Sequence, residues 1–452
     1  MNVQDFKEKL FSEGKSIGFS DMELYYQKSD IFNCELFKGE VEKFTTSEEM
    51  GVSFRGLYNG KMGYAYTEKL DGESVYFLLE NAKENSLIIE DAEPEEIFSG
   101  SERYENVNFY SETLSKISNE EKIDFMKKVD KEIYAQDERV VGTDFFILES
   151  AEVESALFNS KGLELLDRKN YLVFAVYVIV KENDVVKTAG HFEVVQNLDE
   201  LDAGKIASTA VEEALSYLNP MSIPSKEYPV LLRNDTAASL ISTFTPIFSA
   251  ENAQQGMSQL KGKEGEQIAG ENVCLIDDPF RKDGMFSRIF DAEGVASSKV
   301  SIIKNGKLNT LFHNLKTAKK AGVETTGHAF KNSYKGSVTV APSNLYVQPG
   351  IKSYEMLVGE MKEGVIITEL SGLHSGTNQI SGDFSVAATG YYVKDGRIQS
   401  AANQMTIAGN FFELLNQIEE IGSDLKFSFG VPGSGYVGSP TLLVSGLSVT
   451  VE

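Results

Sequence analysis

The sequence is poor in the residues that most often bind zinc. Its 452 residues include four histidines and two cysteines. His191, His313, His328 and His374 are separated by 122, 15 and 46 positions, so no two of them share a helical turn. Neither His-Glu-x-x-His nor Cys-x-x-Cys occurs. These absences exclude a zinc site built from neighbouring ligands on one element, and each histidine is expected to be solvated or hydrogen-bonded.

Long apolar runs and a cysteine framework are also missing. The longest near-apolar stretch, residues 171–180, is too short to cross a bilayer as a helix and is rich in valine and aromatic residues, which predicts a buried strand. Cys34 and Cys274 are far apart in sequence, and we expect both to be small buried side chains in a reduced state. No basic segment followed by an apolar core opens the chain, so we expect a cytoplasmic protein.

Basic residues are outnumbered by acidic ones. Lysine and arginine total 43 against 68 aspartates and glutamates, which gives a net charge of −25. Such a surface repels nucleic-acid phosphates and anionic lipids, and we therefore expect no direct nucleic-acid or membrane partner. The apolar fraction of 41% is ordinary for a globular protein, and the length predicts two or three domains.

In the first half, the pattern predicts helices packed on a sheet. An opening helix precedes strands over about 22–67, where Asn59-Gly60 marks a tight hairpin turn. Helices are predicted over about 73–82 and from Ser118, where Glu121 completes a capping box. Three strands over 140–195 and a helix over about 202–218 follow.

A proline cluster then separates two parts of the chain. Three prolines fall in 220–229, which predicts a boundary between an N-terminal domain, 1–219, and a C-terminal domain, 230–452. Few helices are predicted in the second part, beginning near residues 235, 315, 353 and 410. Its hairpins IKNGKL and VKDGRI are either a trace of duplication or convergent turn chemistry. The predicted class is α+β with two domains, N-terminal helices on a mixed sheet, and a C-terminal half rich in antiparallel or mixed strands.

Catalytic motifs are scarce. Gly-x-Ser-x-Gly occurs once, at residues 14–18, but it follows the predicted opening helix instead of joining a strand to a helix, so no serine nucleophile is assigned. Residues 433–438 match the dinucleotide-binding glycine pattern, but a proline and a strand-like segment follow instead of a helix, so we reject that interpretation. Asp277-Asp278-Pro279 fits either half of a hard-metal site or a turn in which the carboxylates cap nearby backbone amides. His374 is notable because it lies in the glycine-rich segment SGLHSG.

Seven ordered segments of the second half resemble the TldD/PmbA family, whose members are also described as modulators of DNA gyrase. They are LIDDP at 275–279, FDAEGV at 290–295, IKNGKL at 303–308, SNLYVQPG at 343–350, SGDFS at 381–385, IAGN at 407–410 and GSPTL at 438–442. GVSFRG at 51–56 extends the resemblance into the first half.

The resemblance implies one of two kinds of protein. TldD-like members bind zinc through His-Glu-x-x-x-His and a cysteine near the C-terminus, whereas PmbA-like members lack these ligands. The corresponding positions here are 242–247, which read STFTPI, and 426–429, which read KFSF. No imidazole, carboxylate or thiol is present at either place. The resemblance implies a PmbA-like chain that binds neither a metal nor another cofactor. Zinc is expected in a TldD-like partner.

Three hypotheses follow. The first is a non-catalytic subunit that pairs with a TldD-like chain and acts on unfolded or leader peptides. The second is a self-associating module that binds peptides or other ligands without a peptidase role. The third is independent catalysis through His374, Asp383 and Asp277. With Asn344, these three are the candidate groove residues, and no catalytic residue is assigned under the first hypothesis.

Overall fold

The computed structural model describes residues 1–89, 95–428 and 435–451, and it confirms the α+β class. The helices are α1 (Val3–Ile17), α2 (Gly72–Ile88), α3 (Asn119–Gln136), α4 (Ala203–Ser216), α5 (Asn234–Phe244), α6 (Ala250–Gln254), α7 (Leu315–Ala321), α8 (Tyr354–Glu360) and α9 (Phe411–Asn416). Within the described ranges, no helix is long and apolar enough to cross a membrane.

Strands make up most of the remaining regular structure. In the first half they are β1 (Phe19–Phe37), β2 (Glu40–Tyr58), β3 (Lys61–Thr67), β4 (Val140–Asn159), β5 (Glu164–Glu182) and β6 (Val185–Val195). In the second half they are β7 (Lys226–Leu232), β8 (Leu275–Asp277), β9 (Val300–Lys304), β10 (Lys307–Leu308), β11 (Ala329–Phe330), β12 (Thr339–Val340), β13 (Asn344–Val347), β14 (Glu363–Ser371), β15 (Asp383–Lys394), β16 (Arg397–Ala401), β17 (Met405–Asn410), β18 (Ile418–Ile421), β19 (Lys426–Ser428), β20 (Tyr436–Ser439) and β21 (Leu442–Val451).

The N-terminal half is one six-stranded sheet with helices packed on it. Its order is β3-β2-β1-β4-β5-β6, and its strands pair antiparallel. Asn59 and Gly60 turn the β2–β3 hairpin with positive φ angles, as predicted. One buried cluster joins α1 and α2 to the sheet, and another joins α3 and α4 to it. The apolar stretch 171–180 lies in β5 and is mostly buried, as predicted.

The C-terminal half contains two larger sheets. One has the order β10-β9-β8-β13-β20-β19, and the other has the order β14-β7-β21-β17-β15-β16 with β18 beside β21. Because β14 also pairs with β15, the pairings of the second sheet return to their starting strand. Parallel pairs occur at β13–β20 and β7–β14, so these sheets are mixed. Their inner faces and α5 share the largest buried apolar cluster.

Capping residues set the helix starts where the sequence predicts them. Ser118 and Glu121 form the predicted capping box at α3. Asp202, Ser353 and Asn410 each accept a hydrogen bond from a backbone amide in the first turn of α4, α8 and α9. These local hydrogen bonds explain why the helix starts could be read from sequence.

The proline cluster ends inside a strand. Pro229 lies in β7, where the register between β7 and β21 shifts between Val230 and Tyr228. A proline lacks the amide hydrogen that a sheet needs, so this irregularity accommodates it. Met221, within the proposed boundary, forms a bridge to Ala402 of the C-terminal half.

One cysteine differs from expectation. Cys34 is fully buried on β1, as predicted, whereas Cys274 is half-buried, so the prediction was wrong for Cys274. Its sulfur accepts a hydrogen bond from the backbone amide of Asn305 at 3.3 Å. The Asn305-Gly306 turn packs beside Cys274 and leaves it at the surface of the sheet.

Candidate functional site

Helix α5 and strand β19 meet at the edge of the C-terminal half. The Ser239 hydroxyl of α5 lies 3.3 Å from the Ser428 hydroxyl of β19, and Ser239 also donates to the carbonyl of Asp235. The helix ends at Phe244, and a 3₁₀ turn over Thr245–Phe248 carries Pro246 in its first turn. The helix thus ends two residues before Pro246, as expected for a residue that cannot continue an α-helix.

The positions that would hold zinc in this part of the fold are filled differently. Ser242, Thr243 and Ile247 are buried, and Ile247 belongs to the apolar core. The Thr243 hydroxyl donates to the carbonyl of Ser239 at 3.0 Å. Hydroxyl and aliphatic side chains are poor zinc ligands. These residues do not fit the metal, and the described residues contain no cluster of histidine, cysteine, aspartate and glutamate that could hold one.

A cavity of about 170 Å³ opens between the two halves beside Ser239 and Ser428. It is lined by Tyr177, Ala189, Gly190, His191, Phe192, Glu213, Arg233, Asp235, Thr236, Ser239, Thr368, Glu369, Leu370, Lys426, Phe427 and Ser428. Two of its walls are edge strands: over the described residues, β6 pairs with β5 alone and β19 with β20 alone. We call it the edge-strand cavity.

Arg233 organises the charge of this cavity. Its guanidinium donates to the carboxylates of Glu213 and Asp235, each at 2.8 Å, and to the carbonyl of Thr368 at 2.9 Å. Tyr217 donates to the same Glu213 oxygen at 2.7 Å. Burial by itself would raise the pKa of Asp235, but Arg233 lowers it below its ordinary value. Both bonded carboxylates are thus held in fixed positions.

Glu369 brings another carboxylate to the cavity wall. The register of β14 against β15 shifts between Ile367 and Glu369, and such a bulge can re-aim a side chain. Burial, reinforced by Glu213, raises the pKa of Glu369. On the opposite wall, His191 Nε2 lies 3.0 Å from Glu193 Oε1. The cavity therefore presents both acceptors and donors at its polar wall.

A strained aromatic residue packs against the lining of the cavity. Gly190 stands opposite Tyr177 in the β5–β6 pair, and the Tyr177 ring lies where a side chain at position 190 would be. Phe145 packs edge-on against Tyr177, is 58% exposed, and has a φ of +46°. A positive φ is costly for a bulky residue and persists only where its surroundings enforce it. The strained Phe145 thus packs against a residue that lines the cavity. Strained residues cluster at ligand-binding sites in many proteins.

Comparison with known proteins assigns the fold to a family. Models of the PmbA/TldA metallopeptidase family match residues 22–86 (domain 1), 112–218 (central domain) and 225–451 (C-terminal domain). An uncharacterised protein of Methanocaldococcus jannaschii is 31% identical over 92% of this chain and 96% of its own length. The chain belongs to the PmbA/TldA metallopeptidase family. This is the TldD/PmbA family that the sequence motifs resemble.

Two further relatives support the assignment. Metalloprotease PmbA of Escherichia coli O157:H7 is 25% identical over 69% of this chain and 67% of that protein. The crystal structure of a Thermotoga maritima protein, described as a proposed modulator of a DNA gyrase, matches with a TM-score of 0.91 and 33% identity. It covers 99% of this chain and 100% of that one. The chain therefore shares its fold with this structure over nearly all of the given sequence.

Two of the predicted groove residues lie inside this family fold as structural residues. Asp277 is buried on β8, and its carboxylate accepts from the amide and hydroxyl of Ser343 and lies 3.1 Å from His328 Nε2. Asn344 is fully buried on β13 and donates to the carbonyl of Asp278 and the hydroxyl of Ser287. The turn interpretation fits Asp278, which caps the amide of Phe280, whereas Asp277 bonds to a distant segment.

The other two lie on or beside the second C-terminal sheet, near β14 and β15. His374 is exposed in the segment after β14. Asp383 is exposed at the start of β15, where it accepts from Asn410 and Ser381, and these bonds lower its pKa. The structure therefore leaves His374 and Asp383 exposed and buries Asp277 on β8. Independent catalysis would need these three side chains to lie together, and they do not.

The residues of the edge-strand cavity were not found from the sequence. Glu213, Arg233 and Glu369 come from three separate elements and form no motif. A weak signal was present in Arg233-Asn234-Asp235, a charged segment directly after a buried strand. The rejected dinucleotide-binding glycine pattern needs a helix after its glycines. Here Tyr436–Ser439 form β20, and β21 follows without a helix. Gly433 and Ser434 lie outside the described residues.

Proposed function

We propose that this chain is the non-catalytic, metal-free subunit of a two-chain peptidase and helps a zinc-bearing TldD-like partner to hold unfolded or leader peptides. The observation that supports this most directly is the pair of edge strands around one cavity. An extended peptide can add to a free strand edge through backbone hydrogen bonds, which depend little on its side chains. Such binding suits a subunit that accepts many peptide sequences in the cytoplasm.

The chemistry of the cavity supports a binding role over a catalytic one. Arg233 is bonded to two carboxylates and a carbonyl, and the hydroxyls of Ser239 and Ser428 occupy the contact between α5 and β19. A hydrolytic zinc site needs about three converging protein ligands. Hydroxyls and tightly bonded ion pairs instead offer hydrogen bonds to a peptide backbone.

A second surface fits a partner chain. The β1–β2 tip and the adjoining ends of β4, β5 and β6 lie at the same end of the N-terminal sheet. This end exposes apolar side chains, with exposures of 48% for Phe37, 52% for Val141, 58% for Phe145 and 52% for Val186. Clustered exposed apolar residues often mark protein interfaces. Because Phe145 also contacts Tyr177 of the cavity rim, a partner bound here would adjoin the cavity.

The decisive experiment is co-expression with the His-Glu-x-x-x-His family member of the same genome. We expect the chains to co-purify and the partner to hydrolyse an unstructured peptide faster than it does alone. Ser428→Trp, which fills the edge-strand cavity, should preserve co-purification and lower peptide hydrolysis at least tenfold. Ser445→Trp, an exposed serine outside the cavity, is the matched control and should leave hydrolysis unchanged.

Failure of the two chains to associate, together with unchanged partner activity, would contradict the proposal. The same apolar surface could instead join two copies of this chain, which is the alternative of a self-associating binding module. Light scattering of the purified chain separates the two. A stable homodimer that persists when the TldD-like chain is added would favour the alternative.

A further inference from the structure

A second cavity, of about 320 Å³, lies between the N-terminal sheet and the C-terminal half. Its floor is one face of β1, β4 and β5, where alternate residues such as Tyr25, Ser155 and Lys169 point the same way. Its roof is formed by segments around Arg288 and Lys331. The volume is within the range of small-molecule sites. We call it the basic cavity.

Three basic side chains line this cavity without an ion pair. Within the described ranges, no carboxylate oxygen lies within 4.0 Å of the charged nitrogens of Lys169, Arg288 or Lys331. Lys331 is 7% exposed, and its ammonium donates to the hydroxyl of Ser53 at 2.9 Å. A buried cation without a bonded counter-ion is costly, and Glu23 and Glu293 offset the charge of Lys331 only in part.

The other two cations are also only partly satisfied. Lys169 donates to the carbonyls of Met285 and Ser287 at 3.1 and 3.4 Å. Arg288 donates to the carbonyl of Ala329 at 3.4 Å, and its buried Nε has no hydrogen-bond partner in the structure. Donors that are bonded only to neutral oxygens, or to none, are suited to an incoming anion.

The two carboxylates of the lining face the main chain. Asp291 accepts from the amides of Glu293, Val295 and Ala329 at 2.9 to 3.0 Å. Asp167 interacts electrostatically with Lys169 and Arg288 and also accepts from the backbone amides of Arg168 and Ile289. The two carboxylates therefore offset part of the positive charge, but three basic side chains face two acidic ones in the lining. The free donors of the cavity are therefore predominantly cationic.

Aromatic rings complete the lining. Lys331 lies 4.9 Å from the centre of the Tyr25 ring, and Lys169 lies 5.7 Å from that of Phe286. Phe290 and Phe330 also line the cavity. Rings beside cations suit a ligand with an anionic end and an apolar body. Burial lowers the pKa of Lys169 to about 8 and that of Lys331 to about 7, and a bound anion would favour their charged forms.

We propose that the basic cavity binds a carboxylate attached to an apolar group, either a small organic acid or the C-terminus of a peptide. Lys169, Arg288 and Lys331 would hold the carboxylate, and the aromatic rings would contact the apolar group. This inference is independent of the proposed pairing with a catalytic chain, because the basic cavity and the edge-strand cavity share no lining residue.

Calorimetric titration of the full chain tests the proposal with two pairs of probes. The first is 3-phenylpropanoate against 3-phenylpropanamide, and the second is N-acetyl-Gly-Gly-Phe against its C-terminal amide. We expect at least one acid to bind tenfold or more tightly than its amide. If only the first acid binds, the ligand is a free organic acid; if only the second binds, it is a peptide C-terminus.

Variants locate the site. Lys169→Met and Lys331→Met should each weaken binding of the acid at least tenfold, and Lys299→Met, a lysine outside the lining, should not. Lys169 is half-buried, so its variant is informative even if Lys331→Met unfolds the chain. Equal binding of acid and amide, no binding of either acid, or equal loss in the control variant would overturn the proposal.

Discussion

At the residue scale, Arg233 shows how a single cation can hold a charged wall in place. It joins Glu213 of α4 to Asp235 of α5, so it connects the N-terminal and C-terminal halves. Both carboxylates are largely buried, with side-chain exposures of 16% and 24%. Two partly desolvated anions depend on this guanidinium for compensation.

Replacing this arginine should therefore destabilise the fold. We expect Arg233→Met to lower the free energy of unfolding by about 3 kcal/mol, because it leaves two carboxylates uncompensated. Arg139→Met is the matched control, since Arg139 also bonds two carboxylates, Asp137 and Glu182, but its side chain is 35% exposed against 23% for Arg233. Its effect should be much smaller. Urea denaturation measures both, and equal losses would contradict the role given to burial.

Lys331 makes a prediction about pH. Its pKa is lowered to about 7 by burial, with Arg55 lowering it further and Glu23 and Glu293 opposing the shift. An unfolded lysine titrates near 10.4, so between about pH 7 and 10 the unfolded state binds more protons than the folded state, and stability rises with pH. Below about pH 7 the Lys331 side chain is protonated in both the folded and the unfolded state, so its contribution to stability no longer changes with pH.

The test compares wild type with Lys331→Met by denaturation at pH 7, 8 and 9. Relative to the variant, wild type should gain stability by up to about 1.4 kcal/mol per pH unit. A difference between the two proteins that stays constant over this range would show that Lys331 titrates normally in the fold.

At the scale of elements, the packing of α2 on β3 depends on one missing side chain. A Cβ on Gly63 would lie 1.9 Å from the carbonyl oxygen of Ala82 in α2. The backbones of the helix and the strand therefore approach so closely that only glycine, which has no side chain, fits at position 63. No flexible side-chain end is available there to move aside.

Gly63→Ala should separate these two elements. We expect a loss of about 1–3 kcal/mol in the free energy of unfolding, because the helix must shift or the strand must bend. Gly359→Ala is the control, since a Cβ at that position in α8 meets no atom within 4 Å. It should be neutral or slightly stabilising, as alanine favours helix. Thermal unfolding of both variants checks this; similar melting temperatures would refute the close approach.

At the scale of the whole molecule, the charge bears on the gyrase description of one relative. A net charge of −25 opposes the phosphate contacts that supply non-specific DNA affinity. We predict no complex with duplex DNA in a gel shift at roughly 50 mM salt, where such contacts are strongest. A histone-like basic protein run in parallel verifies the assay. A tight, salt-sensitive complex would show that a local basic surface overrides the overall charge.

The two cavities are also properties of the whole molecule. Each is bounded by the N-terminal sheet on one side and the C-terminal half on the other. Changes in how the halves pack would therefore alter both sites together. The lining residues of each cavity therefore come from separate segments, and only Phe290, Asp291 and Ala292 of the basic cavity belong to one of the quoted motifs, FDAEGV.

Short segments of the sequence were enough to predict much of the local structure and the family. Capping residues at Ser118, Asp202 and Asn410, the Asn59-Gly60 turn and the helix-ending Pro246 act on neighbouring backbone groups, so their effects could be read from short segments. The lack of imidazole, carboxylate and thiol groups at 242–247 was also visible, because the family motifs located the positions to inspect.

The residues that meet from distant parts of the chain became known from the folded structure. It brought Glu213, Arg233 and Glu369 to one wall, and it placed Lys169 opposite Lys331 around a second cavity. It also buried Asp277 against Ser343 and separated it from His374, contrary to the groove that the sequence suggested. These outcomes depend on strand order and on the packing of the two halves. Both are set by the burial of apolar faces over the whole chain, and short-range patterns do not encode them.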